Sequence, residues 1–243
     1  MPDKRKHRGK HPRDDALFGE ARQQAALREA TRDLSWLLSR GYNDTSALAL
    51  VGNRYALRER QRKAVLRCAA PDEAAHTRES RRLEVGALRG EALALDGFNC
   101  VITLEAALSG GLVLVGRDGC LRDLSSIHGT YRAVSETPRA IELLGEHLAA
   151  LEPRETHWLL DRPVSNSGRL KVLLAEIAER RGWRWNIELD DNPDRRLAGG
   201  EAIVASSDAW VLDSCRRWSN LLAHVVQSSV QHAWCLDLWE AKR

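Results

Sequence analysis

Residues 91–99 read EALALDGFN, an apolar run that stops abruptly at Asp96. A short run without strict alternation is typical of a strand that is buried on both faces, as in parallel sheets covered by helices. Similar runs recur in three later stretches, which read HWLLD at 157–161, WRWNIELDD at 183–191 and EAIVASSD at 201–208. These repeated strands that end in acids predict an α/β domain with a mostly parallel sheet flanked by helices.

Short apolar runs alternate with amphipathic segments from residue 83 onward. The predicted strands are 91–95, 112–115, 157–160, 183–189 and 201–206. The predicted helices are 101–109, 139–151, 168–181 and 214–227, and the segment 233–239 fits either a last strand or a last helix. Ligands of such sheets bind at the carboxyl ends of the strands, which is where the acids fall.

The first third of the chain has a different pattern. Residues 1–13 form a basic tail that we expect to be disordered, with a phosphate contact as the alternative role. Residues 14–82 predict a basic helical module with helices over 14–40, 46–51 and 57–68, followed by a linker or helix edge at 71–82. Its helix–turn–helix outline suits nucleic-acid contact, although a row of exposed arginines is also an ordinary solvated face. Residues 83–243 form the predicted α/β domain.

The net charge of +3 conceals a division along the chain. Residues 1–90 hold 20 Lys and Arg against 12 Asp and Glu, a net +8, and the remaining residues carry −5. A basic segment suits a polyanion such as nucleic acid, although an arginine bias also follows from a GC-rich genome. No apolar run approaches the roughly 18–20 residues that cross a bilayer, and five cysteines without CxxC spacing argue against a zinc ribbon or a disulfide scaffold. We expect a cytoplasmic protein with no membrane partner.

The candidate catalytic residues are four aspartates at or after strand ends: Asp96, Asp161, Asp194 and Asp208. Carboxylates at one edge of a sheet repel one another, and a hard divalent cation bound through oxygen relieves that repulsion. We therefore predict Mg²⁺ or Mn²⁺ held by Asp96, Asp161 and Asp208, with Asp194 as a fourth acid. Two such ions would activate water and stabilise the leaving oxygen in phosphodiester cleavage. The alternative for any one aspartate is a turn or a helix cap.

Two short motifs carry a family resemblance. LDGFN at 95–99 and IVASSD at 203–208 resemble the first and last acidic motifs of the PIN/NYN-like nuclease superfamily. The resemblance implies a PIN/NYN-like α/β fold in which Asp96 and Asp208 bind metal and Asn99 is an orienting residue. Asp161 and Asp194 are the intermediate acids by position. The long insert before Asp161 departs from simple PIN domains and leaves the order of the metal ligands open.

The whole chain is also similar to bacterial and archaeal proteins of two classified regions. The stretch RGYNDTSALALVGNRY at 40–55 resembles the class called domain of unknown function 434, and the C-terminal part resembles domain of unknown function 5616. Together they cover about residues 25–227. This resemblance identifies a family without implying an activity.

The insert at 116–132 reads GRDGCLRDLSSIHGTYR and concentrates polar residues. Asp118 and Gly119 predict a tight turn. Arg122 and Arg132 are candidate phosphate-binding residues, and His128 is a candidate for proton transfer or a place beside the metal. A polar surface loop is the alternative.

A second polar loop follows Asp161. Ser165, Asn166 and Ser167 are candidate phosphate ligands at a helix N-terminus, or equally the N-cap of the next helix. Of the eight tryptophans we expect five in the core: Trp158, Trp183, Trp185, Trp210 and Trp218.

Three functions remain open on the sequence. The first is a Mg²⁺- or Mn²⁺-dependent nuclease, with RNA favoured over DNA. The second is a noncatalytic nucleic-acid-binding or regulatory protein that keeps the fold without the full metal geometry. The third is a phosphoryl-transfer enzyme that uses the same acids on a small molecule.

Overall fold

The computed structural model describes residues 7–125 and 130–240. Its first part is helical, with a π-helical turn at Asp15–Gly19 before the first α-helix. The helices here are α1 (Ala21–Ser39), α2 (Asp44–Arg54), α3 (Glu59–Cys68) and α4 (Asp72–Arg81). The predicted helix over 14–40 is divided because Glu20 has an extended backbone. Asn43 starts α2 by accepting hydrogen bonds from the N–H groups of Thr45 and Ser46.

The rest of the described chain alternates strands and helices. The strands are β1 (Arg82–Leu83), β2 (Ala92–Asp96), β3 (Leu112–Val115), β4 (Leu121–Asp123), β5 (Glu155–Asp161), β6 (Trp185–Asp190), β7 (Ile203–Ala205), β8 (Trp218–Ser219) and β9 (Trp234–Asp237). The helices are α5 (Gly97–Leu108), α6 (Thr137–Leu151), α7 (Ser167–Arg181), α8 (Pro193–Gly199), α9 (Ala209–Ser214) and α10 (Leu221–Ser229). All five predicted strands are present.

Six strands form one parallel sheet in the order β1-β8-β7-β2-β5-β6. The chain moves outward from β2 in one direction through β5 and β6, and in the other through β7 and β8. The carboxyl end of β2 is therefore the topological switch point, where open α/β sheets bind their ligands. The predicted mostly parallel sheet flanked by helices is confirmed.

Both faces of this sheet are buried. On one face, Leu93 and Leu95 of β2 belong to the largest core cluster, together with apolar residues of α5, α6 and α7. On the other face, Ala94 packs with Val204 and with side chains of α8 and α9. This two-sided burial explains why the strands lack the alternation of half-exposed strands.

Two predictions at the C-terminal end are resolved. The predicted helix over 214–227 is wrong in its first half, because the short strand β8 lies there, between β1 and β7, and α10 starts only at Leu221. The segment that fitted either a strand or a helix is a strand, β9.

A smaller sheet with the order β4-β3-β9 links the two parts of the molecule. The predicted turn joins β3 and β4 in an antiparallel hairpin, with Gly119 at a φ of +74°. Leu112 and Leu114 of β3 pack in a cluster with the N-terminal helices, whereas Val113 faces the main core. Within the described residues, no helix is long and apolar enough to cross a membrane.

Residues 7–13 contact the α/β part of the chain, in contrast to the disorder expected for the tail 1–13. The Arg8 Nε donates a hydrogen bond of 2.7 Å to the Glu105 Oε2, and Glu105 is fully buried. Tyr131 Oη donates to the other oxygen of Glu105 at 2.6 Å. Residues 1–6 lie outside the described part of the chain.

The tryptophans divide into two groups. Trp158 and Trp218 are fully buried, and Trp183 and Trp185 pack against the main core. The expectation of a core position is wrong for Trp210, whose exposed fraction is 53%.

A buried ion network ties α4 to the β3–β4 turn. The Asp118 carboxylate accepts hydrogen bonds from Arg122 at 2.7 and 2.6 Å and from Arg78 at 2.6 Å. All three side chains are at least nine-tenths buried. Arg78 also binds Asp213 on α9 through two hydrogen bonds of 2.7 and 3.0 Å. Burial alone would raise the pKa of Asp118, but the two guanidinium groups hold it well below its usual range.

We expect Asp118→Asn to lower the free energy of unfolding by about 3–5 kcal/mol, because it leaves the buried Arg122 without its counter-charge and Arg78 with Asp213 alone. The folded pKa of Asp118 is depressed, so its contribution is present above the pKa of the unfolded chain and is lost as the pH falls through the folded pKa. Urea denaturation at neutral and acidic pH measures both effects.

The matched control is Asp72→Asn, since Asp72 pairs with Arg117 but its side chain is 73% exposed. Removing this surface pair should change stability by about 0–1 kcal/mol. Equal losses in the two variants would contradict the role assigned to Asp118.

Candidate carboxylate site

Asp96 is the last residue of β2 and the N-cap of α5. Its side chain is held at both oxygens: Oδ1 accepts from the Asn99 N–H at 3.2 Å, and Oδ2 accepts from the Ser206 hydroxyl at 2.8 Å. Gly97 lets the start of α5 pass close to β5, because a Cβ at this position would lie 2.5 Å from the Leu160 Cδ2. The carboxyl group is thus fixed at the switch point of the sheet.

Burial dominates the acidity of Asp96. The residue is 8% exposed, and loss of hydration raises its pKa from 3.8 to about 7. The hydrogen bonds from Ser206 and Asn99 act in the opposite direction and stabilise the charged form. The carboxylates of Asp194 and Asp208 raise the pKa further. A proton or a cation at Asp96 is therefore favoured at neutral pH.

The loop after β7 carries Asp208 and is clamped from two sides. The Asn99 Oδ1 accepts hydrogen bonds from the Ser207 N–H at 2.9 Å and from its hydroxyl at 3.0 Å. The Asp208 N–H donates to the Ser206 hydroxyl oxygen at 3.0 Å, and Asp208 caps α9 by accepting from the Val211 N–H at 3.1 Å. The two motifs LDGFN and IVASSD are thus joined side by side through direct hydrogen bonds.

The other two predicted acids lie on the β5–β6 side. Asp161 ends β5 in register with Asp190, which ends β6. Burial, and then the Asp190 carboxylate, raise the pKa of Asp161. Asp194 is in the first turn of α8, where burial raises its pKa to about 6 and the carboxylates of Asp208 and Asp161 add to the effect.

The four predicted acids lie at or after the ends of the neighbouring strands β7, β2 and β5 and at the start of α8, which packs against β2 and β5. The carboxylates of Asp161 and Asp208 raise the pKa of Asp194, and those of Asp194 and Asp208 raise the pKa of Asp96. The cluster is open, however. Among residues 7–125 and 130–240, no group of three or more His, Cys, Asp or Glu side chains is close enough to form a ready-made metal site.

The structure corrects the expectation that Arg122 clamps phosphate. The residue is 3% exposed. Its two terminal nitrogens donate to the Asp118 carboxylate, and its Nε donates a hydrogen bond of 2.9 Å to the Ser207 carbonyl oxygen. Arg122 therefore supports the loop before Asp208 from beneath. The sequence carried a signal for this pairing, because Arg122 follows the turn residue Asp118 by four positions.

The remaining predicted substrate-binding residues gather beside the start of α7. Arg132 and Asn166 line a cavity of about 440 Å³ together with Arg169. The Asn166 amide donates to the Tyr131 carbonyl at 2.8 Å and makes no cap bond to α7. His128 lies outside the described residues.

The two serines of this loop make mainly local contacts. The carbonyl oxygen of Ser165 accepts a hydrogen bond from the Tyr131 N–H at 3.1 Å. Ser167 is buried, and its hydroxyl donates to the Arg162 carbonyl at 3.4 Å.

Sequence reasoning missed Ser206, Ser207 and Asp190 as parts of the site. The serines contact Asp96 and Asn99 directly, and Asp190 acts on the pKa of Asp161. The available signal was the position of all three next to the strand ends that carry the acids.

The fold and the site define an α/β protein with a parallel sheet and an acidic cluster at its topological switch point. Residues 85–224 match the family described as Domain of unknown function (DUF5616). Because this match spans more than half of the sequence, the chain belongs to that family. Residues 26–81 match the Protein of unknown function (DUF434) family, so both predicted family regions are confirmed.

One relative supports the extent of this match. An uncharacterized protein of Methanocaldococcus jannaschii is 28% identical over 189 residues, which cover 78% of this chain and 90% of the relative. No solved structure matches the chain significantly.

The raised pKa values of Asp96 and Asp194 predict an unusual pH dependence of stability. Both folded pKa values exceed those of the unfolded chain, so stability is greatest below the unfolded pKa and declines as the pH rises through the folded pKa. In EDTA, Asp96→Asn should flatten this decline and raise stability at neutral pH by roughly 1–4 kcal/mol, since a tenfold change in proton affinity is worth about 1.4 kcal/mol. Urea denaturation at a series of pH values from acidic to neutral measures this dependence in both proteins.

Asp191→Asn is the control, because Asp191 belongs to the same acidic run but is exposed and paired with Arg162. Its pH profile should follow that of the unmodified protein. A profile of Asp96→Asn that keeps the full decline would show that Asp96 is not the buried acid responsible.

Proposed function

We propose that the protein is a Mg²⁺- or Mn²⁺-dependent phosphodiesterase acting on nucleic acid, with RNA favoured over DNA. The observation that carries the proposal is the set of four aspartates at the switch point, two of which have pKa values raised to about 7 and about 6. Such a concentration of partly buried carboxylates is destabilising unless it binds protons or a cation.

The donor set fits a hard divalent cation, because carboxylate oxygens are the ligands that Mg²⁺ and Mn²⁺ prefer. Asp96, Asp161 and Asp208 would hold the metal, with Asp194 as a fourth acid. The bound ion would supply electrostatic stabilisation of the phosphoryl and leaving-group oxygens and a more acidic water. The open spacing of the carboxyl groups means that the cluster would have to tighten around the ion.

The chain's own groups have separate tasks in this proposal. Ser206 and Asn99 orient the two oxygens of Asp96, and Asn99 also fixes the loop that leads to Asp208. Asp194, in the first turn of α8, is the acid that would accept a proton from the attacking water. The tasks of Ser206 and Asn99 follow from their hydrogen bonds.

Two further features support nucleic acid as the substrate. Residues 1–90 carry a net +8, which attracts a polyanion. LDGFN and IVASSD resemble the acidic motifs of PIN/NYN-like nucleases, and the strands that carry them are neighbours in the sheet. The PIN/NYN-like identity and the choice of RNA are parts of this proposal.

A noncatalytic nucleic-acid-binding protein is the second candidate. Two observations support it. Both carboxylate oxygens of Asp96 already accept hydrogen bonds from the protein, and the described chain holds no group of side chains spaced to bind a metal ion. Both features are expected of a protein that keeps the fold but no longer binds metal. The two candidates differ in whether bound strands are cut.

The test is cleavage of labelled single-stranded RNA and DNA in Mn²⁺ and in EDTA. We expect cutting only with metal, RNA faster than DNA, and a loss of at least about a hundredfold in Asp96→Asn and in Asp208→Asn, as for removal of groups that act directly on the reacting centre. Asp191→Asn should retain activity, because Asp191 is exposed and pairs with Arg162.

Equal rates in the unmodified protein and both variants would overturn the nuclease proposal, because a contaminating enzyme would then explain the cutting. Salt-sensitive binding without any cleavage would favour the noncatalytic candidate.

A further inference from the structure

Trp210 is an exposed aromatic residue in the first turn of α9, two positions after Asp208. Its exposed fraction is 53%, whereas the next two residues, Val211 and Leu212, are fully buried. The indole therefore lies on the side of α9 that faces away from the core. An exposed indole adds no core packing, which leaves its position without a structural explanation.

The indole of Trp210 has no ring partner, cation or hydrogen bond within residues 7–125 and 130–240. Trp36 provides the comparison, because it has the same exposed fraction of 53% on α1. There, the Arg40 guanidinium lies 3.5 Å from the ring centroid and covers one face. Of these two equally exposed indoles, Trp210 is the one whose faces are available for stacking.

The position of Trp210 places it beside the carboxylate site. Helical side chains lean toward the helix N-terminus, and Asp208 caps that end of α9. Two residues of chain span at most about 7 Å, so the two Cα atoms are close. The helix that carries Asp194, α8, also packs against α9.

A second exposed residue follows another acid of the site directly in the chain. Arg195 follows Asp194 in α8, and its guanidinium is exposed and unpaired among the residues that the structure describes. An arginine here can bind a phosphate through two parallel hydrogen bonds. An exposed indole on α9 and an exposed guanidinium on α8 thus lie within two residues of two of the acids in the chain.

We propose that Trp210 stacks on an unpaired nucleobase of a single-stranded nucleic acid, with Arg195 on a neighbouring phosphate. Stacking on an aromatic side chain tolerates any base but requires that the base be unpaired. The inference rests on the proposed phosphodiesterase function, and it restricts the nucleic-acid substrate of that function to single strands. Binding itself does not depend on cleavage.

The experiment compares two labelled ligands of equal charge, measured by fluorescence anisotropy in EDTA: a ten-nucleotide single-stranded RNA and an abasic ribose-phosphate chain of the same length. The unmodified protein should prefer the ligand with bases. Trp210→Ala should weaken RNA binding by at least about fivefold, the fold-change that a stacked base contributes at the low end. Its affinity for the abasic chain should stay unchanged.

Two controls separate stacking from other effects. Trp210→Phe keeps an aromatic face and should retain most of the preference, whereas Trp36→Ala should bind both ligands as the unmodified protein does. Arg195→Ala should weaken both ligands alike and reduce the salt dependence of binding. Circular dichroism verifies that each variant is folded.

Equal RNA affinity in Trp210→Ala and the unmodified protein overturns the inference. So does a change in oligomeric state of Trp210→Ala by sedimentation at unchanged RNA affinity, since that result assigns the indole to a protein interface. Binding that depends on Trp210 without any metal-dependent cleavage supports the inference while the proposed nuclease fails. Metal-dependent cleavage with RNA binding that does not depend on Trp210 supports the proposed nuclease and overturns the inference.

Discussion

The constraint on which the rest of the site depends is the burial of an aspartate at the switch point of a parallel sheet. Asp96 ends the strand β2, from which the chain builds the sheet to both sides, and the residue is 8% exposed. Its neighbours can be understood as responses to that burial. Gly97 allows a close approach to Leu160, Asn99 and Ser206 supply hydrogen bonds, and Asn99 also holds the loop after β7 through Ser207. None of these contacts neutralises the charge, and burial still raises the pKa to about 7.

A second buried aspartate shows how the same chain compensates a charge when it must. Asp118 is as buried as Asp96 but accepts from Arg78 and Arg122, which hold its pKa well below the usual range. This network also connects distant parts of the sequence, because Arg78 lies on α4 and Arg122 reaches the Ser207 carbonyl. The N-terminal helices are thereby linked to the loop that carries Asp208. The order of that loop and the packing of α4 are consequently coupled through one buried carboxylate.

The sequence predicted the strands and their terminal acids because both signals are local. A five-residue apolar run followed by Asp96 needs no knowledge of the tertiary structure, and the observed strand is Ala92–Asp96. The two-residue strand at Trp218 was missed because so short an element has no periodicity. Arg122 was misassigned because its burial depends on contacts with Asp118 and Ser207 across the fold. Trp210 was placed in the core on hydrophobicity alone, which does not specify which side of a helix faces solvent.

The contrast between the two buried aspartates carries an implication for the edge of the sheet. This chain places arginines in its interior where a carboxylate must be stabilised, as around Asp118. At Asp96 the neighbouring charges are instead the carboxylates of Asp194 and Asp208, which oppose ionisation. A cluster of this kind lowers stability at neutral pH, and such a cost is characteristic of sites that are shaped for a ligand rather than for folding. At Asp118 the counter-charge comes from arginines of the chain itself. At Asp96 it must come from solvent, as a proton or a cation. That requirement connects the acidic edge of the sheet with the metal-dependent chemistry proposed for it.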